Sequence, residues 1–451
     1  MARGSWIGIF CLLIAASISL VFGGSLARNS PAGMADFKAI YYGSRCVFEH
    51  RDPYRPSDFL QVYSRENGTF PSNPELRHLF FRAVPICINL PTSLFLLAPI
   101  SFVPWSLAAM IWMTISFASL TIASILTWGL SRAYSPNLSL ILSCFVLANC
   151  QVLLMSGNLA GVAIGFCVVG VWCFLKNQYV AVGVICFALG LALKPQDVGF
   201  VWLYFLLAKG THRKFAIWSF GVTIAIGLLS AIWISNASPH WLNEMRANQA
   251  VTSAKGDLSD PGPASSTLRN PAMIIDLRSI ISLIDDDPGI YGPTALLVIG
   301  GMVGIWTVRV LRRRAILVES TYLALAAVVP LTMLPVYHRL YDAKLLLLTI
   351  PACSVLFDRA RWKGKLAFTF TGLGILFAGD IPASLIDNAT RHLPKFTGGA
   401  WSVFETILFF RQVPLILFVM GAFYLWIFWR SAKMNNIEQE KELSDSEIQS
   451  T

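Results

Sequence analysis

Residues 105–130 read WSLAAMIWMTISFASLTIASILTWGL, twenty-six positions without one ionisable side chain. A run of that length crosses the ~30 Å hydrocarbon layer of a bilayer. The chain repeats it in both directions. Apolar blocks lie near 6–22, 86–103, 138–155, 159–175, 179–193, 198–208, 215–234, 294–310, 316–336, 343–357, 366–378 and 403–429. Of the 451 residues 55% are hydrophobic and only 13% charged, against roughly 25% charged in a soluble domain. The mean hydropathy is +0.61. The class is an all-α polytopic membrane protein, because helices satisfy their own backbone groups inside lipid. About twelve transmembrane helices are expected.

The net charge of +10 does not point to nucleic acid, because the basic residues sit in short loops between apolar blocks. There they act as topological anchors. Loops 209–214, 309–314 and 359–365 are richest, with Arg132, Lys176, Arg430 and Lys433 as smaller clusters. All are assigned to the cytoplasm together with Arg3. The first block, 6–22, is read as a retained anchor, with a cleaved signal peptide as the alternative. A first outer loop then spans 27–104 and a second spans 235–291. Block 86–103 is interrupted by Pro91 and Pro99 and flanked by Pro85 and Pro104. It is read as a re-entrant or interface-lying helix on the outer side, with two ordinary spans as the alternative. Residues 1–430 form one integral-membrane domain, and the polar tail 431–451 is expected to be disordered.

Two blocks are too short to cross alone. Helices over 179–193 and 198–208 would be ~22 Å and ~16 Å long. They meet at Lys194-Pro195-Gln196. A broken helix at depth is tolerated where it lines a cavity, and a lysine there is a functional candidate. The proposed outer face collects the other unusual polar groups. Residues 35–54, ADFKAIYYGSRCVFEHRDPY, bring Asp36, Tyr41, Tyr42, Arg45, Glu49, Arg51, Asp52 and Tyr54. Asn158, Gln196, His338, Arg339 and Asp342 come from distant stretches. Bland readings stand beside each: tyrosines anchor at interfaces, Asp52-Pro53 starts a turn, and His338 ends a helix. Asp36 gains little as an anchor so near a span end. Of nine cysteines, seven lie in the apolar blocks read as membrane-crossing, as small packing residues. Cys46 and Cys87 fall outside and are candidates for a disulfide, or for two free thiols. No metal-ligand set is recognisable, so a divalent cation is not expected.

Five stretches together resemble the GT-C superfamily of membrane glycosyltransferases, and within it glycosyltransferase family 87, of the polyprenol-phosphate-mannose-dependent mannosyltransferase type. They are DFKAIYYGSRCVFEHRDPY (36–54), NLPTSLFLLAPISFVPWSLAAMIW (89–112), SGNLAGVAIG (156–165), AVGVICFALGLALKPQ (181–196) and YHRLYDAKLLLL (337–348). Leu90-Pro91 stands where the family has Pro-Pro, and Gly157-Asn158 where it has Gly-Gln. The resemblance implies a GT-C-like helical bundle that takes a hexose, mannose in this type, from a polyprenyl-phosphate sugar. The acceptor is a lipid- or glycan-linked hydroxyl, on the extracytoplasmic face of a bacterial inner membrane. It implies Asp36 as general base of an inverting, single-displacement transfer. The leaving phosphate needs preorganised cations, for which Lys194, His338 and Arg339 are the candidates. Tyr41, Tyr42, Asp52, Tyr54, Asn158 and Gln196 are candidate substrate contacts. Phosphate departs without protonation, so one carboxylate suffices where ordinary glycosidases need two. No cofactor is expected. A transporter or flippase of an anionic substrate is the competing class, and a non-catalytic subunit of an envelope-assembly complex is the third.

Overall fold

A computed structural model describes residues 3–30, 33–66, 68, 70–265, 273–312, 318–391 and 399–449. The chain is 79% helix, with no strand among the described residues. Helix α1 (Arg3–Asn29) is followed by five short helical segments that build the first polar region. These are α2 (Ala35–Phe48), α3 (Pro56–Arg65), α4 (Pro74–Ala83), α5 (Pro91–Leu97) and a 3-10 turn over Ala98–Phe102. Next come α6 (Trp105–Ser131), α7 (Pro136–Ala148), α8 (Gln151–Ser156), α9 (Ala160–Lys176), α10 (Val180–Leu193), α11 (Pro195–Leu207) and α12 (Thr211–Ser235). The second polar region carries α13 (Trp241–Thr252) and α14 (Arg278–Ile281). It leads into α15 (Pro288–Leu311), α16 (Val318–Thr332), a 3-10 helix Leu340–Thr349, α17 (Ile350–Arg359), α18 (Arg361–Phe377), α19 (Asp380–Arg391), α20 (Gly399–Phe410) and α21 (Gln412–Gln449). Helix α21 runs into the polar tail, where neither glycine nor proline follows Gly421 to stop it.

Fewer helices have the length of a full span than there are apolar blocks. Among the described residues seven helices are long and apolar enough to cross a membrane, or eight if the pair Arg361–Phe377 and Asp380–Ala389, bent by 68°, counts as one. Four shorter apolar helices, Pro91–Phe102, Ala160–Lys176, Val180–Leu193 and Val318–Thr332, account for much of the difference. In two of them, α9 and α16, the composition reflects protein neighbours. Every residue of α16 from Ser320 to Thr332 is buried, and α9 packs between α6 and α10. Close packing there depends on small residues, as is usual between membrane helices. A Cβ on Gly165 of α9 would lie 2.7 Å from the Cβ of Ser119 on α6.

Helix α1 is tied into the bundle where the Ser19 hydroxyl donates to the Leu147 carbonyl at 2.5 Å and accepts from the Cys150 N–H at 3.1 Å. The loops assigned to the cytoplasm by their basic residues meet one another. Tyr134 donates to Glu319, Arg359 pairs with the same carboxylate, and the Arg359 guanidinium lies over the Tyr134 ring. The polar groups assigned to the outer face form a separate assembly. Cys46 and Cys87 are buried free thiols.

Candidate functional site

Asp36 is the second residue of α2. The residue before the helix, Met34, is left-handed at φ 59°, an uncommon conformation for a non-glycine side chain. Its N–H donates to the Met155 carbonyl at 2.6 Å, which fixes the start of α2 against the end of α8. The chain then turns at Gly157, with φ +66°, and a Cβ there would lie 2.7 Å from the Cβ of Phe37. Only glycine fits both demands. Trp112 stacks on Phe37 with ring centroids 5.2 Å apart and donates its indole N–H to the Gly157 carbonyl at 2.8 Å. This turn delivers Asn158 to Asp36. The Asn158 amide donates to Asp36 Oδ2 at 2.7 Å, and its oxygen accepts from the Ala160 N–H at 2.9 Å.

The same oxygen lies 3.5 Å from Lys194 Nζ. Lys194 ends α10 in an extended conformation, φ −151° and ψ 78°, and Pro195 opens α11. A residue before proline is kept out of the helical region, and proline is suited to a first turn, so the break is written into the sequence. Lys194 is buried and pairs with Asp342 of the 3-10 helix. It also stands 3.4 Å from Asp197 Oδ2 and 5.2 Å from the centroid of the Tyr341 ring. Asp342 accepts the Arg339 backbone N–H at 2.7 Å. His338 is fully buried, its Nδ1 2.9 Å from the Val336 carbonyl and its Nε2 3.2 Å from Asp197 Oδ1. Three carboxylates, an amide, an ammonium and an imidazole thus form one continuous assembly. The second polar region buttresses it: the Ile275 N–H donates to the His338 carbonyl at 2.9 Å and the Leu340 N–H to the Met273 carbonyl at 3.0 Å. The Arg339 guanidinium donates to the Leu258 carbonyl at 2.8 Å and to the Tyr337 hydroxyl.

Asp36, Asn158, Lys194 and His338 are therefore brought together, with Arg339 attached through its backbone to Asp342. Gln196 lies beside them in the wall of an apolar groove of about 530 Å³. That groove runs between α10, α11, α12, α15 and the end of α16, and Pro195, Gly199, Phe220, Gly300 and Val336 also line it. The tyrosines are placed differently from the expectation that they contact substrate. Tyr41 is buried, donates to the Val103 carbonyl at 2.8 Å and meets Trp105 edge-on. Tyr42 is buried against Tyr63 and Trp105. Tyr54 donates to the Asn89 carbonyl at 2.8 Å with no exposed surface. Asp52 holds its loop, accepting from the Tyr54 N–H at 2.9 Å and from the Ser238 hydroxyl at 2.7 Å. All four are buried.

The residue missed by sequence reasoning is Asp197. A carboxylate one turn after a buried lysine was its signal, masked by its ordinary place in the first turn of a helix. No group of three or more His, Cys, Asp or Glu side chains suited to a metal ion occurs among the described residues.

A sequence model of glycosyltransferase family 87 matches residues 88–335. The match takes in Asn158, Lys194, Gln196 and Asp197; Asp36 precedes it, and His338, Arg339 and Asp342 follow it. Searches of curated proteins and of solved structures gave no match. The family model covers more than half of the chain, and it favours the enzyme over the transporter and the silent subunit. The helical membrane protein with this charged assembly is a glycosyltransferase and belongs to glycosyltransferase family 87.

Proposed function

We propose that the protein moves a hexose, mannose by its family type, from a polyprenyl-phosphate donor to a hydroxyl of a lipid- or glycan-linked acceptor. The transfer is inverting and takes place on the extracytoplasmic face of a bacterial inner membrane. The observation that carries this reading is the junction at Pro195-Gln196, where the apolar groove meets the buried charges of Lys194 and its partners. A polyprenyl phosphate has the same division, a long apolar tail joined to an anionic head. The tail lies in the groove and the phosphate at Lys194 and His338, with Arg339 nearby.

Asp36 is half-buried and takes one hydrogen bond, from Asn158, on Oδ2. A carboxylate so held has capacity left to accept the acceptor proton as attack on the anomeric carbon begins. The bond from that carbon to the phosphate oxygen breaks as the new bond forms, and the negative charge passes to phosphate, where fixed cations in a water-poor site stabilise it. The helix Pro91–Phe102 lies on the outer side as an interfacial element; its twelve residues span only ~18 Å.

The test is transfer of radiolabelled hexose from polyprenyl phosphate by purified protein in nanodiscs. Asp36→Asn is expected to abolish transfer while the protein remains folded and monodisperse. Transfer by Asp36→Asn at the wild-type rate would remove Asp36 from the role of base.

A further inference from the structure

We propose that Asp197 is a positioning residue of the transfer site: one buried carboxylate that holds Lys194 and His338 as a matched pair of cations for the leaving phosphate. The proposal rests on the donor reading above and adds to it a residue outside the resembling motifs.

Asp197 has no exposed surface. Its two oxygens face different cations, Oδ2 standing 3.4 Å from Lys194 Nζ and Oδ1 3.2 Å from His338 Nε2. Neither oxygen has an aligned hydrogen-bond donor, and His338 Nε2 also lacks a hydrogen-bond partner. Burying an ionised carboxylate with unfilled hydrogen-bonding capacity is costly, and such groups are rare outside functional places. Asp342 contrasts with it, since its oxygens take the Lys194 ammonium and the Arg339 backbone N–H. Asp197 is the carboxylate with capacity to spare.

The protonation of His338 follows from its partners. Nδ1 lies 2.9 Å from the Val336 carbonyl, and a carbonyl only accepts, so Nδ1 carries a proton. In the neutral ring Nε2 would then point a lone pair at the Asp197 carboxylate, which is repulsive. With a second proton the ring becomes a cation and the contact attractive. The charged groups facing His338 are Asp197 from α11, Asp342 from the 3-10 helix and Lys194 at the α10–α11 break. Burial of the ring works against a charge on it, and so does the Lys194 ammonium; the contact with Asp197 Oδ1 and the charges of Asp197 and Asp342 together outweigh both. Asp197 therefore selects the imidazolium and, through the same group, restrains Lys194. A phosphate arriving from the groove meets two cations already set in place.

The experiment measures binding of polyprenyl phosphate, the reaction product, to the full chain in nanodiscs over the pH range in which histidine titrates. This needs no turnover. Wild type is expected to bind at low pH and to weaken as His338 loses its proton. Asp197→Asn is expected to bind about tenfold more weakly at neutral pH, with the weakening displaced to lower pH by about one unit, a factor of ten in proton affinity. His338→Gln is expected to leave only the pH dependence of the phosphate's own second ionisation, and Asp197→Asn added to it is expected not to move that. Should Asp197→Asn fail to fold, Asp197→Glu, which keeps the charge and moves it by one methylene, is expected to displace the step in the same direction by less. A step unmoved in the folded Asp197 variant, or a displacement that persists without His338, overturns the proposal while leaving the donor reading intact. Absence of polyprenyl phosphate binding by wild type overturns both.

Discussion

The side-chain amide of Asn158 is fixed from both ends: its nitrogen donates to Asp36 Oδ2 at 2.7 Å and its oxygen caps α9 by accepting from the Ala160 N–H at 2.9 Å. The cap leaves only one way for the amide to face, so the carboxylate is oriented by the backbone of another helix. Removing the amide leaves Asp36 in place but unaligned. Asn158→Ala is expected to lower kcat about 10- to 100-fold, the scale of a misplaced catalytic group, with a smaller change in KM for the donor. Steady-state kinetics on the two variants of that pair, Asn158→Ala and Asp36→Asn, check it: the first keeps residual transfer and the second has none.

Lys194 is a buried cation shared by Asp197 and Asp342. Lys194→Met keeps its length and strands two carboxylates. Breaking a buried pair in this way costs about 3–5 kcal/mol, and thermal unfolding in detergent is expected to show a correspondingly large fall. The double variant Lys194→Met with Asp342→Asn is expected to regain part of that loss, because one of the stranded charges is gone. Neither variant is expected to transfer sugar. Equal stability of the single and double variants would count against the shared charge.

The groove offers a steric test. A Cβ at Gly300 of α15 meets nothing within 4 Å, and Gly300 lines the groove. Gly300→Phe is expected to fill it without disturbing the bundle. The KM for a long-chain polyprenyl-phosphate donor is expected to rise about tenfold, the loss of roughly two buried methylene groups at ~0.8 kcal/mol each. The KM for a short-chain analogue is expected to change little. Identical effects on both chain lengths would place the tail elsewhere.

Tyr54 separates framework from chemistry. Its hydroxyl donates to the Asn89 carbonyl at 2.8 Å in a fully buried setting. Tyr54→Phe is expected to cost about 1 kcal/mol of stability and to leave kcat and KM unchanged. A fall in kcat with unaltered thermal stability would return Tyr54 to the substrate.

The members of the site stood out in the sequence because ionisable residues are expensive among apolar ones. Lys194 beside Pro195, Asn158 after a glycine, and His338 to Asp342 between two apolar blocks were each visible for that reason. What drew them to one point was legible only through the loop charges, which put their stretches on one face. Asp197 was hidden because an acid in a helix's first turn needs no special explanation. A polar region rich in aromatics looks like a sugar surface, and here Tyr41, Tyr42 and Tyr63 pack together with Trp105. Helices α9 and α16 fall short of a full span and are largely clad in protein, and a helix surrounded by protein is as apolar as one surrounded by lipid.

The ion pair between Lys194 and Asp342 joins residues 148 positions apart. During synthesis at ~5–20 residues per second, Lys194 is made some 7–30 s before its partner. Asp197, three residues away, is the counter-ion available to the lysine through that interval. Asp197 thus gives the lysine a local partner in the sequence, independent of its distant one. The Lys194–Asp342 pair itself closes only once Asp342 has been made.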